Sequence, residues 1–265
     1  MQASTLGQRY FGVPHLSLYG RRASDRLSAS RCANADPVSS LGAPLAPSDL
    51  AATPVGGVRV LIVDTPGPDL ERLVGVVRAY AGFQLLPPLD YGLEYGLEYA
   101  AELVEEVRHQ SPDILVMDIG RGDAGVAASI RACRVASPHT EILLRTPVGN
   151  DGYVLACIEA GASGYFFKDA AAEWIVACVL ALRDGGALIS PGIARRVLSR
   201  FPLAAAGLHP AAGGAELTEP QVDVLRLVAC GTGLHEISDT LALTTRQVLA
   251  LIKSVYRVLA DTAQA

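Results

Sequence analysis

The sequence predicts an α/β fold: a doubly wound, five-stranded parallel sheet, followed by a second, small all-α unit. Three observations predict it. The segment Pro112–Asp118 carries an apolar run, Ile114–Met117, with no polar/apolar alternation, which reads as a strand buried on both faces. Strand-like and helix-like segments alternate from Val58 to Leu182, the pattern of a parallel sheet covered by helices. Beyond an Ala-, Gly- and Pro-rich stretch, the apolar residues recur only at helical spacing.

Taken in order, residues 1–57 are rich in Ser, Ala, Pro and Gly and show no sustained period, which predicts a disordered extension. Val58–Val63 is a β-branched run closed by Asp64, and Leu70, Leu73, Val76 and Val77 follow at helical spacing. Phe83–Leu86 reads as a second strand. A four-residue repeat then places Tyr91, Tyr95 and Tyr99 nearly on one helix face, as a local duplication in a surface helix or loop. Asp118 closes the central strand. Val126–Val135 reads as a helix, Glu141–Thr146 as a strand, and Tyr153–Ala160 as a helix stopped by Gly161. Gly164–Phe167 is the fifth strand, followed at once by Lys168, and Ala171–Leu182 a helix stopped by Gly185 and Gly186. The α/β domain is thus expected over residues 58–185.

Residues 186–216 read as a linker with one short basic helix, capped by Ser190 and Pro191 and carrying Arg195, Arg196 and Arg200. Over residues 217–265, Thr218 and Gln221 make a capping-box pattern. Val222, Leu225 and Val228 give a first helix, Ile237 and Leu241 a second, and Val248, Leu251, Ile252, Val255 and Leu259 a longer third. That is helix-turn-helix spacing.

Half of the chain is apolar and 18% is charged, enough to build a core, and the net charge of −5 gives no global pull towards nucleic acid. No apolar run approaches the roughly 20 residues of a membrane span, so a cytoplasmic protein is expected. The cysteines at 32, 133, 157, 178 and 230 lack CxxC spacing and are expected as reduced, buried thiols.

Four polar residues end strands of the inferred sheet: Asp64, Asp118, Thr146 and Lys168. Carboxyl ends of parallel strands share one edge, where ligands bind. One carboxylate can accept a phosphoryl group, a second can hold Mg²⁺, lysine can pair with the phosphoryl oxygens and a hydroxyl can bond one of them. The alternative for each residue alone is a plain strand-end polar group; all four together point to a phosphoryl-transfer site.

With Gly164-Tyr165-Phe166-Phe167-Lys168-Asp169, these residues resemble a bacterial response-regulator receiver domain, which is flavodoxin-like. Leu217-Thr218, Val224–Ala229, Gly231, Glu236-Ile237, Val248 and Tyr256 resemble the LuxR-type helix-turn-helix. The combination is similar to the NarL/FixJ class, over Val58 to the C-terminus. The resemblance implies a two-component transcriptional regulator, not an enzyme. Asp118 would be the phosphoacceptor, Asp64 and Asp118 the metal-binding acids, Thr146 and Tyr165 the switch residues and Lys168 the active-site lysine. DNA and a sensor kinase would be partners, and a homodimer an assembly state.

Departures from that pattern modify the expectation. Thr65 stands where the family has a second acid, so Mg²⁺ is expected to bind weakly or not at all, and phosphorylation at Asp118 to suffer with it. The loop after Asp118 brings Arg121 and Asp123 near the pocket in sequence. In the third helix, Gln247-Val248-Leu249-Ala250-Leu251 stands where the family has Thr-Val-Lys-x-His. Residues 217–265 carry Arg226, Arg246, Lys253 and Arg257 against Glu219, Asp223, Glu236, Asp239 and Asp261, a net −1. Thr245, Arg246, Gln247 and Lys253 are the candidate DNA contacts. Arg246, Leu249 and Lys253 share one helix side, whereas Leu251 falls near the core face. The alternative function is a phosphorylation-independent interaction module whose helix-turn-helix no longer binds DNA.

Overall fold

The computed structural model describes residues 57–90, 97–120, 124–201 and 216–263. Strand β1 (Val58–Asp64) is central to one half of a parallel sheet. It is followed by α1 (Pro68–Ala79), β2 (Phe83–Leu85), β3 (Leu89–Asp90), α2 (Leu97–Gln110), β4 (Ile114–Asp118), α3 (Ala124–Ala136), β5 (Glu141–Thr146), α4 (Asp151–Glu159), β6 (Gly164–Phe167) and α5 (Ala172–Arg183). The order is β2-β1-β4-β5-β6, with β3 also on β1.

The expected second strand forms as β2, and a further short piece, β3, extends its position in the sheet. β2 pairs with the start of β1, at Val58–Val60, and β3 with its end, at Val63 and Asp64. Between them stand Pro87 and Pro88, which have no N–H to give to the ladder. The two pieces share one position in the sheet, so five strand positions result, as predicted. All of Ile114–Asp118 is buried, as a strand covered on both faces requires. Helices α1 and α5 pack together on one face, and α2, α3 and α4 form a row on the other. Helix α2 buries Leu103 and Val107 and was not assigned from the sequence. The residues Tyr91 and Tyr95, the N-terminal extension before 57, Arg121, Asp123 and the stretch 202–215 lie outside the described residues.

Ser190 caps α6 (Pro191–Arg200) as expected, its hydroxyl accepting from the Ile193 N–H at 3.3 Å. The helix is not a free spacer. Ile193, Ala194 and Val197 are buried, and α6 packs on α4 and on α7 (Glu219–Ala229). Its arginines are exposed, as solvated helix charges are, and each also has a partner within the chain: Arg195 donates to the Ala229 carbonyl at 2.6 Å, Arg196 lies 4.0 Å from Asp151 and Arg200 pairs with Glu159.

Helices α8 (Leu234–Leu241) and α9 (Thr245–Thr262) complete the second unit. The Thr218 N–H donates to Gln221 Oε1 at 2.7 Å, so the capping box read from the sequence forms. A second one opens α9: the Thr244 N–H donates to Gln247 Oε1 at 2.8 Å, and the Gln247 N–H to Thr244 Oγ1 at 3.2 Å. Cys133, Cys157 and Cys178 are free and buried, and burial pushes the Cys133 and Cys157 thiols up to about 12. Cys230 departs from the expectation of reduced thiols in being disulfide-bonded. No helix among the described residues is long and apolar enough to cross a membrane.

Candidate functional site

Strand register assembles the pocket. Asp118 of β4 is in register with Arg145 of β5, and Val63 opposite Met117 sets Asp64 beside Asp118. Residues in register across parallel strands share a sheet face. Asp64, Asp118 and Arg145 therefore line one face at the carboxyl edge, and all three are buried. Lys168 follows β6 directly, and its ammonium lies 2.6 Å from Asp118 Oδ2. The second Asp118 oxygen accepts from the Gly120 N–H at 3.2 Å. Thr146, one residue past Arg145, is fully buried at the same edge. Its hydroxyl donates to the Pro147 carbonyl at 3.3 Å and lies 3.5 Å from Asn150 Nδ2. Asp64, Asp118 and Lys168 thus converge as the sequence predicts.

The sequence reading missed Arg145. It sits in a strand otherwise buried and apolar between Glu141 and Thr146, with 2% of its surface exposed. Its guanidinium pairs with Asp64 Oδ2 and, at 3.1 Å, with Asp69 Oδ2 in the first turn of α1. The available signal was a charge in a strand with no solvent face, since buried charges must be paired. Burial raises the Asp64 carboxyl to about 6; Arg145 pulls against this and the nearby Asp118 charge adds to it.

The same contacts decide how a divalent cation fits. Asp64 Oδ2 is taken by Arg145 and Asp64 Oδ1 by the Thr65 N–H at 2.8 Å, while both Asp118 oxygens have the partners given above. Among the described residues no group of three or more His, Cys, Asp or Glu is placed to hold a metal ion. As arranged, these residues do not fit Mg²⁺ unless Arg145 is displaced.

Tyr165 on β6 is buried, and its hydroxyl accepts from the Ser190 N–H at 2.7 Å, at the cap of α6. Burial raises the phenol well above its ordinary range. The predicted switch tyrosine is thereby tied to the helical unit.

No family model matches the chain. The transcriptional regulatory protein LnrK of Bacillus subtilis (strain 168) is 26% identical over 168 residues, spanning 61% of this chain and 76% of LnrK. The transcriptional regulatory protein LiaR of the same organism is 30% identical over 146 residues, spanning 55% of this chain and 67% of LiaR. The chain belongs to the NarL/FixJ class of response regulators. A LuxR-family two-component response regulator from Aurantimonas sp. SI85-9A1 is a structural neighbour at 25% identity and TM-score 0.46, covering 55% of this chain and 98% of its own.

Helix α9 is the third helix of the C-terminal unit, and the candidate DNA contacts divide along it. Arg246 and Gln247 are exposed and Thr245 is half-buried. Gln247 spends its carbonyl oxygen on the capping box. Lys253 is buried, and its ammonium lies 2.7 Å from Glu141 at the start of β5, so it is not open to DNA in this arrangement. Leu249, on the side shared with Arg246 and Lys253, is buried against Ala177 and Ala181 of α5, while Leu251, expected near the core face, is half-buried. The side shared by Leu249 and Lys253 is the one that docks on the α/β unit. The Leu249 carbonyl accepts from the Ala187 N–H at 3.0 Å, and Tyr256 Oη donates to the Leu188 carbonyl at 2.7 Å.

Burial pushes the Glu141 carboxyl up, but the Lys253 charge and the hydrogen bonds from Lys253 and Ser163 outweigh it and hold it below its ordinary value. Burial lowers the Lys253 ammonium despite Glu141.

Proposed function

We propose that this response regulator controls transcription by binding DNA through α8 and α9, and that it does so weakly while α9 is docked. The observation that carries the reading is the split along α9. Arg246 stands exposed in the first turn, while Leu249 and Lys253 are held on the α/β unit. Undocking would return Lys253 to solvent, two helical turns from Arg246 and on the same side. Contacts of this kind bind phosphates and are electrostatic.

Asp118 is the phosphoacceptor in this reading. Its carboxylate oxygen would attack phosphorus as the bond from phosphorus to the donor breaks, the donor group leaving with that electron pair and Lys168 holding the transferred group as a point charge. The pocket as arranged does not fit the Mg²⁺ that would neutralise developing charge, since Thr65 stands in place of a second acid and Arg145 occupies Asp64, and phosphorylation is weak for that reason. A sensor kinase is the proposed donor, the cytoplasm the proposed location and a homodimer the proposed active assembly. The chain turns over no substrate beyond gaining and losing the phosphoryl group.

The deciding experiment captures genomic fragments with the purified full chain and titrates an enriched fragment across a salt series. Binding that weakens linearly with log salt supports the proposal. Absence of any enriched fragment, also after α9 is released by Glu141→Ala, overturns it. The burial of Leu249 and the net charge of −1 for residues 217–265 favour one second reading, an interaction module that binds a protein instead.

A further inference from the structure

We infer that the Arg145 guanidinium is a built-in cation that stands in for a divalent metal at the Asp64/Asp118 pocket. The inference rests on the reading of that pocket as a receiver acidic site and adds a cause other than Thr65. Arg145 is in register with Asp118, on the same sheet face, and pairs with Asp64 Oδ2 and Asp69 Oδ2. Asp64, Asp69 and Asp118 against Lys168 alone would leave two net negative charges, the amount a divalent cation balances. Arg145 reduces this to one.

A guanidinium does not leave such a site easily. Its side chain is buried, and the fork holds carboxylates on two elements, β1 and α1. A metal ion would need the same Asp64 oxygen at about 2.0–2.1 Å, with a full positive charge already bonded to it. Restoring an acid at position 65 leaves that obstacle in place.

The experiment titrates Mn²⁺, followed by its electron paramagnetic resonance signal, into the wild-type full chain and into Thr65→Asp, Arg145→Met and Arg145→Met/Thr65→Asp. The thermal midpoint of each is read with and without about 10 mM Mg²⁺, since a ligand that binds only the folded state raises it. The wild type and Thr65→Asp are expected to show no saturable binding and no thermal shift. Arg145→Met is expected to gain affinity at least about tenfold and a thermal shift with Mg²⁺, and the double variant to gain more. Saturable submillimolar binding by the wild type, or a gain in Thr65→Asp equal to that in the double variant, overturns the inference. If Arg145→Met does not accumulate folded, Arg145→Met/Asp64→Asn removes the charge and its partner together. A double variant that accumulates folded supports the pairing, since an Asp64 carboxylate left without Arg145 is then what prevents folding, whereas one that also fails to fold overturns it. None of these readouts involves DNA, so failure here leaves the transcriptional reading standing.

Discussion

Lys253 of α9 lies 2.7 Å from Glu141, the first residue of β5, at the end of the sheet opposite the Asp118 pocket. One ion pair thus joins the helix that would read DNA to a strand whose other end carries Arg145 and Thr146. Lys253 is buried and Glu141 half-buried, so truncation of Glu141 leaves one buried charge uncompensated, at a cost of up to about 3 kcal/mol. Undocking of α9 relieves that cost by returning Lys253 to water. Glu141→Ala is therefore expected to open the two units without unfolding either, seen as an increase in radius of gyration in X-ray scattering. DNA binding should strengthen and its salt slope steepen by about one unit.

Acid should act on the same contact. The Glu141 carboxyl is held below its ordinary value of 4.5, so the folded state binds fewer protons there than the unfolded one just below that pH. Its contribution is complete above 4.5 and is lost as pH falls through its own lower value. The thermal midpoint of the wild type should fall over that window, and that of Glu141→Gln should fall less.

Gly186 lies against α9 with no room for a side chain. A Cβ there would lie 2.6 Å from the Leu249 Cβ and 3.4 Å from the Leu249 carbonyl carbon. Gly186→Ala should wedge the units apart and raise the radius of gyration and DNA affinity together. Gly185→Ala, with open space at its Cβ but a φ of +80°, should cost stability without that gain.

Ala242 closes α8 in the left-handed region, at φ 53° and ψ 40°. A Cβ there costs about 1–2 kcal/mol, which glycine avoids at an entropic loss of roughly 0.5–1 kcal/mol. Ala242→Gly is expected to stabilise the helical unit by about 0.5–1 kcal/mol in urea unfolding.

A small phosphodonor at about 1 mM Mg²⁺ should label Asp118 slowly and in part, with intact-mass spectrometry as the readout. Rapid stoichiometric labelling would show that the pocket does not need a second acid beside Asp64.

The sequence alone determined the α/β class, the edge at which Asp64, Asp118 and Lys168 meet, and the capping box at Thr218. Each follows from local pattern: apolar runs bounded by turn residues, carboxylates at strand ends, and a Thr three residues before a Gln. Only the tertiary structure decided the role of Arg145, because a charge inside a strand is assigned by the register of its neighbours and not by its own segment. The same holds for α9. Helical period placed Arg246, Leu249 and Lys253 on one side, but period is silent on whether that side meets DNA or Ala177, Ala181 and Glu141. That depends on which surface lies within reach when the two units fold against each other, a property of contacts distant in sequence.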